Sequence, residues 1–301
     1  MSSDIYYNSL TYVPLTDDLL FHMVFTKNKK ALHSLLSCLL RIPEEEIVET
    51  EILNPMQYSE SFDMNLTVLD LKLHLNGNKF VLIEMQVRKF LSWTNRTLVY
   101  ACRQIAEQDT GKDFDYSKLQ PVIQIAIMDH TLFPDHKRFI SKYILRDEEG
   151  YPYSENLQFI VMDLTAIDES GSQEENSDLI EWAKAFKSKD WNSIEKIENT
   201  GVKEAMKTME RIMANPYERE MVLLRRKTEN DRINAFNNAK REGRAEGRAE
   251  GRAEGRAEGR AESDALVLKL FELNRIEDIK RCALDSNYRD KLVLELLQDS
   301  K

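Results

Sequence analysis

Residues Thr67–Arg88 read TVLDLKLHLNGNKFVLIEMQVR, and the alternation in this stretch decides the fold. Leu69, Leu71, Leu73 and Leu75 occupy odd positions, with Asp70, Lys72 and His74 between them. Val81, Ile83, Met85 and Val87 repeat the pattern against Glu84, Gln86 and Arg88. Successive side chains of a strand point to opposite faces, so each half predicts a strand with one apolar and one polar face. Asn76-Gly77-Asn78 between them predicts a tight hairpin. A two-residue loop would set apolar positions against polar ones. A three-residue loop with one residue in the left-handed region pairs even positions with even, and so sets Asp70 directly across from Glu84. Two carboxylates this close repel unless a cation lies between them. A divalent ion suits the pair, because Mg²⁺ takes one or two carboxylates and retains several waters.

Working outward, Thr16-Asp17-Asp18 reads as a helix start, with Leu19, Leu20, Met23 and Val24 on its apolar face. ALHSLLSCLLR predicts a second helix that stops before Pro43, and IVETEILNP a first strand ended by Pro55. Beyond the hairpin, Leu98, Ala101, Cys102 and Ile105 recur at helical spacing within a helix expected from about Leu91 to Gln108. LQPVIQIAIMD is a nearly continuous apolar run, hence a buried strand, and NLQFIVMDL another edge or central strand. A hairpin followed by strand, helix and strand predicts a mixed α/β sheet flanked by helices.

An Asp on one strand and an acid-x-(Lys or Gln) on the next is the core pattern of the PD-(D/E)XK nucleases. The wider blocks LTDDLLFHMVF, LDLKLHLNGNKFVLIEMQV, RTLVY and DYSKLQPVIQIAIMD resemble, in order and spacing, those of the PD-(D/E)XK transposase-like nucleases, also called the Rpn or recombination-promoting nuclease family. The resemblance is close over residues 10–165 and general over residues 166–262. It implies a restriction-endonuclease-like core and hydrolysis of DNA phosphodiesters with Mg²⁺ or Mn²⁺. It also implies a link to recombination, transposon-like mobility or defence against foreign DNA.

On this reading Asp70 and Glu84 hold the metal, and the resemblance adds the main-chain carbonyl of Met85. The ion would neutralise a scissile phosphate and lower the pKa of a bound water. Gln86 stands where many PD-(D/E)XK enzymes have Lys. It carries no charge, but its amide can orient a water, which leaves deprotonation to the ion rather than to a side chain. Asp18 matches the acid of the family block N-D-x-x-F-K-x-x-F; it reads equally as an approach to the metal or as a charge complementing the helix dipole. His22 stands where that block has Lys and would touch phosphate more weakly at neutral pH. Arg96, Tyr100 and Gln104 share one helix face. The first two match the family's R-x-x-x-Y block, as a phosphate grip with a stacking partner or as a buried structural network. Arg88 and Lys89 are candidates for phosphate contact. The ordinary alternative for the acids is a solvated strand face, which the flanking blocks make the weaker reading.

The 301 residues carry a net charge of −10, which argues against nonspecific coating of nucleic acid but leaves room for a local basic groove. Cys38, Cys102 and Cys282 are scattered, without metal spacing, and suit a reducing compartment. MSSDIYYNSL has no leader character and no apolar run approaches a membrane span, so a cytoplasmic protein is expected.

The sequence divides into a nuclease-like domain (1–165), a helical accessory region (166–240) broken near Asn215-Pro216, a repeat (241–262) and a C-terminal helical hairpin (263–301). The polar run ESGSQEENSD reads as the loop after the first of these. Gly-Arg-Ala-Glu recurs five times from Gly243 to Glu262. Its period of four draws stripes along a helix, yet each Gly costs about 1 kcal/mol against Ala, and like charges fall four apart. It reads as a solvated linker, or as a helix rescued by pairing with another through its small-residue stripe. The hairpin around Asp285-Ser286-Asn287 reads as a packing or self-association element, so a homo-oligomer through this region is a candidate; its second helix is poor in base-reading groups for a DNA-binding helix-turn-helix. Two rivals to the nuclease stand: a catalytically weakened nucleic-acid binder, and a self-assembling scaffold with a relic nuclease fold.

Overall fold

The computed structural model describes residues 10–53, 56–57, 67–68, 70–89, 92–109, 111, 114–167 and 177–298. Leu69, Pro55, Leu91, the opening residues 1–9 and most of the 169–178 loop, all used above, lie outside them. The strands are β1 (Thr50–Ile52), β2 (Met56–Gln57), β3 (Thr67–Val68), β4 (Leu71–Leu75), β5 (Lys79–Gln86), β6 (Val122–Met128), β7 (Ile140–Arg146) and β8 (Pro152–Asp163). β2 and β3 pair separately; the others form one mixed sheet in the order β1-β4-β5-β6-β8-β7. β5, β6 and β8 run parallel, and the remaining pairings are antiparallel. The long strand read as edge or central is therefore internal. Its edge neighbour β7, which sequence reasoning did not anticipate, returns through a turn in which Gly150 has φ +88° and the Asp147 carboxylate accepts the Glu149 and Tyr151 amides.

The central hairpin has the expected register: Leu71 faces Ile83, Leu73 faces Val81 and Leu75 faces Lys79. Its three-residue loop uses two left-handed residues rather than one, Asn76 (φ +50°) and Gly77 (φ +62°). Asn76 tolerates this because its side chain is tied to neighbouring backbone: Oδ1 accepts from the Val48 and Glu49 amides, and Nδ2 donates to the Glu46 carbonyl.

The odd face of the sheet packs on the helices α1 (Asp18–Lys27) and α2 (Lys29–Leu40). Asp17, rather than Thr16, caps α1 by accepting the Leu20 amide at 3.1 Å. α2 ends at Arg41 in the left-handed region, two residues before Pro43, as the sequence suggests. The even face is polar in sequence but not solvated. Helix α3 (Trp93–Ala106), shorter at both ends than the expected Leu91–Gln108, covers it and buries Lys72, Glu84, Gln86 and Gln124. Lys72 reaches Glu107 at 2.9 Å, and His74 bonds Gln120 and stacks on Phe80, so both are structural.

The first compact unit runs to Arg226, beyond the boundary near residue 165. Helices α4 (Ser177–Lys187), α5 (Trp191–Glu195) and α6 (Thr200–Ala214) belong to the same apolar core as the sheet. Trp182 and Phe186 of α4 pack with Phe21 and Phe25 of α1. At Gly201 of α6, a β-carbon would overlap Cβ and Oγ of the buried Ser34 on α2. We expect Gly201→Ala to destabilise the fold by about 1–3 kcal/mol, because helix backbones rather than a flexible tip must move. Urea unfolding checks this, and Ser34→Gly should relieve part of the loss.

α7 (Pro216–Glu272) follows the break at Asn215 and includes the whole Gly-Arg-Ala-Glu repeat as continuous helix. The second unit, Lys227–Lys301, contains the rest of α7 with α8 (Ile276–Leu284) and α9 (Ser286–Val293). Its own core is small: Leu266, Leu270, Cys282, Leu292 and Val293. Asn274 (φ +58°) ends α7, and Asp285 caps α9 by accepting the Tyr288 amide. The expected two-helix element is thus α8 and α9, set off from α7 by an additional turn. Among the described residues, no helix is long and apolar enough to cross a membrane.

Candidate active site

Asp70 stands one residue before β4, at a bend, and the hairpin register carries it opposite Glu84. Two contacts fix it there. Its carboxylate Oδ2 accepts the Met85 amide at 2.6 Å, and its backbone carbonyl lies 2.7 Å from His22 Nδ1 on α1. A carbonyl only accepts, so His22 carries its proton on Nδ1 and anchors the start of β4. That anchoring use of His22 was not evident from sequence.

Glu84 is 4% exposed, and its Oε1 lies 3.5 Å from the Arg96 guanidinium of α3. Its second oxygen, Oε2, is buried with no hydrogen-bond partner among the described residues. Burial pushes Asp70 up to about 7, against the Met85 amide, Arg96 and Arg225, which favour the charged form, and with the Asp18 charge, which opposes it. Burial likewise pushes Glu84 up to about 8; Arg96 counters this and the Asp70 charge adds to it. Burial thus holds both carboxyls toward protonation near neutral pH, and the Asp70 charge adds to the effect on Glu84.

Gln86 lies on the same face of β5 as Glu84. Its Nε2 donates to the Arg88 carbonyl at 2.6 Å, and its Oε1 lies 3.4 Å from Arg96. The amide is thus largely engaged by the protein. The Arg96 guanidinium lies over the Trp93 ring (4.6 Å) and the Tyr100 ring (5.7 Å), so Trp93 and Tyr100 set its position. Gln104, the third residue of that helix face, is buried. Arg88 and Lys89 are exposed just beyond the end of β5.

Asp18 is not brought into the carboxylate pair. Its Oδ2 accepts from Arg225 at 3.0 and 3.3 Å, and it reaches Asp70 only through its charge. Arg225 lies 207 residues away in the chain, and no local pattern could have revealed it.

A metal fits this donor set in kind and number. All the donors are hard oxygens, two carboxyls gain a reason to ionise, and Glu84 Oε2 lacks a partner. Among the described residues there is no cluster of three or more His, Cys, Asp and Glu placed to hold an ion.

Arg96 is the cation within reach of both Glu84 and Gln86. If the site acts as a nuclease, Arg96→Met should lower cleavage about 10–100-fold, the worth of a charge-assisted hydrogen bond of roughly 1.5–3 kcal/mol. It should also shift the acid limb of the pH–rate profile upward, because Glu84 loses the charge that favours its ionised form. A pH series of initial cleavage rates on both proteins reads this.

Compared with known protein families, the sequence profile described as PD-(D/E)XK nuclease family transposase matches residues 15–239. No curated protein and no solved structure matches the chain.

Proposed function

The chain belongs to the PD-(D/E)XK nuclease family transposases, and from that premise we propose that it is a divalent-metal-dependent endodeoxyribonuclease of the Rpn type. The observation that carries the reading is the pair Asp70–Glu84, half-buried and buried, facing each other across the hairpin, both pushed toward neutral pH, one with an unpartnered oxygen. Asp70 and Glu84 would hold Mg²⁺ or Mn²⁺. The Met85 carbonyl would join them, since a strand residue's amide and carbonyl leave on the same side and the Met85 amide already faces Asp70. When bound, the ion supplies a Lewis acid for the phosphodiester and a lowered pKa for water.

The chain's own residues do the rest. Arg96 supplies the positive charge that Gln86 lacks, from a helix rather than from the strand, and its guanidinium suits phosphate oxygens. Gln86 steadies Arg96 and keeps limited capacity to orient water. Tyr100 and Trp93 hold the guanidinium in place. Arg88 and Lys89 are the candidate contacts to flanking phosphates, and Asp18 acts through its field and its tie to Arg225.

The reading extends to a role in recombination, mobility or defence, to a cytoplasmic location, and to self-association through residues 241–301, where Phe271, Leu284 and Leu294 are exposed. The testing experiment is nicking of supercoiled DNA, with single-stranded DNA and RNA as comparison substrates, in Mg²⁺, Mn²⁺ or EDTA. Metal-dependent nicking supports the reading; its absence in every metal contradicts it. The engaged Gln86 amide favours one alternative, a protein that binds nucleic acid without cutting, which the same assay separates when paired with a binding measurement.

A further inference from the structure

Asp18 opens α1 and His22 follows four residues later, so the two share one helix face. His22 Nδ1 lies 2.7 Å from the Asp70 carbonyl, which places Asp18 about one helical turn, roughly 6 Å along the axis, from that anchor. Arg225 Nε and Nη2 both donate to Asp18 Oδ2, at 3.3 and 3.0 Å. Arg225 arrives there because the start of α7 runs against α1. Lys27 meets Glu218 at 2.6 Å, Asp18 meets Arg225, and Val222 between Glu218 and Arg225 is fully buried. The two ion pairs follow opposite chain order, so these stretches are antiparallel, and both belong to the first compact unit. The Arg225 side chain is 59% exposed and that of Asp18 46%, so both meet solvent at the edge of the acid pair.

We propose that Arg225 is a phosphate-binding residue of this site, and that a DNA phosphate held beside Asp70 and Glu84 takes its guanidinium over from Asp18. The choice of DNA rests on the nuclease reading. A guanidinium has five N–H donors, and among the described residues Arg225 uses two of them, both on one oxygen. The rest include the Nη1 pair, and phosphate is a partner that the arginine fork grips as well as it grips a carboxylate. Substrate approach needs this charge. Asp17, Asp18, Asp70 and Glu84 form a run of acids in which each acts on the next. Arg96 answers them from α3, where it is engaged with Glu84 and Gln86. Arg225 answers them from the α1 side, and its charge reaches Asp70. The two arginines thus act on the acid pair from different elements, which suits a phosphodiester lying across it. The exchange costs little, because an exposed ion pair adds almost nothing to stability.

Binding is measured apart from cleavage, by fluorescence anisotropy of a labelled DNA duplex with the full chain in EDTA at pH 6.5, where Asp70 and Glu84 keep their protons, over a series of salt concentrations. Arg225→Gln is expected to weaken binding about five- to tenfold at low salt and to reduce the slope of log K against log salt by about 0.9, the share of one phosphate contact. Lys27→Gln breaks the ion pair at the other end of the same helix pairing, roughly 13 Å from Asp18, and should leave the slope unchanged. Asp18→Asn removes the competitor and should tighten binding about two- to fivefold. With Arg225→Gln already present the same change should do much less, so the two effects are not additive. A parental slope in Arg225→Gln overturns the proposal, as do additive effects or a parent that does not bind the duplex. A melt of Arg225→Gln far below the parent with its slope unchanged assigns the pair to helix packing and overturns it too. Cleavage in Mg²⁺ and Mn²⁺ is assayed in parallel. An Arg225-dependent slope without cleavage in any metal would sink the nuclease reading and leave the phosphate contact standing. Cleavage by a parent whose Arg225→Gln variant binds equally well would sink the contact alone.

Discussion

We expect Glu84→Gln and Asp70→Ala each to abolish the proposed metal-dependent cleavage, by about a thousandfold or more, while the chain stays folded. The magnitude follows from what the pair does. Lewis-acid stabilisation of the transition state is worth several kcal/mol, and each 1.36 kcal/mol is tenfold in rate. Removing either carboxylate would leave the proposed site with a single anionic protein ligand. Glu84→Gln is the sharper of the two. It keeps the side-chain shape and an oxygen for Arg96, and takes away only the charge that a cation needs. A buried carboxyl with an unpartnered oxygen, as Glu84 has, is a burden to the metal-free fold, so Glu84→Gln should not melt much below the parent in EDTA. Loss of cleavage together with unfolding would say nothing of chemistry; loss with an unchanged melt separates the site's role from the fold's. Cleavage within tenfold of the parent in Glu84→Gln would contradict the assignment.

Stability without metal should fall as pH rises, opposite to the trend of a carboxylate that is ion-paired in the fold. Asp70 and Glu84 are held at about 7 and about 8, above their ordinary values of 3.8 and 4.5. Between these limits the folded chain keeps protons that the unfolded chain has released. Their contribution is therefore fully present below about pH 4 and is lost as pH climbs through 7 to 8. At 1.36 kcal/mol per unit, the loss is on the order of several kcal/mol. A divalent ion competes with the protons, so its stabilising effect should be small near pH 5.5 and large near pH 8. At a hundred times its dissociation constant it adds about 2.7 kcal/mol. Thermal melts in EDTA and in Mg²⁺ or Mn²⁺ at the two pH values measure this. The Asp70→Asn, Glu84→Gln double variant removes other titrating groups from the comparison, since its melt should be flatter with pH and insensitive to the ion. Equal stabilisation by metal at both pH values would count against the pair as its site.

The hairpin was readable because its signals are local. Alternation set the faces, Asn76-Gly77-Asn78 set the loop, and parity alone then fixed Asp70 opposite Glu84. The family blocks located Arg96 and Tyr100 but not their arrangement, because cation–ring contacts and the reach to Gln86 depend on how α3 lies across the sheet. That covering was the least readable feature. A face of Lys72, Glu84 and Gln86 looks solvated by composition, and only tertiary packing buries it. The strand β7, ISKYILR, does not alternate cleanly, and its pairing depends on the distant β8. Asp18 stands in the first turn of a helix, as one of its two readings has it, but its partner Arg225 is too remote in sequence for any pattern to disclose. The domain boundary near residue 165 follows a real change in composition. Charged surface positions dominate that change, whereas Trp182, Phe186, Val202 and Met209 continue the same core. The repeat left linker and helix open because four-residue spacing and glycine cost pull opposite ways; in the structure it is helix, with open space around each of its glycines among the described residues.

Whether Asp70 and Glu84 jointly hold one divalent cation is decided by Mn²⁺ titration of the full chain at pH 8, followed by electron paramagnetic resonance. We expect a saturable bound-Mn²⁺ population that Mg²⁺ displaces and that both Asp70→Ala and Glu84→Gln lose. Retention of that population in either variant, or its absence from the parent, would contradict it.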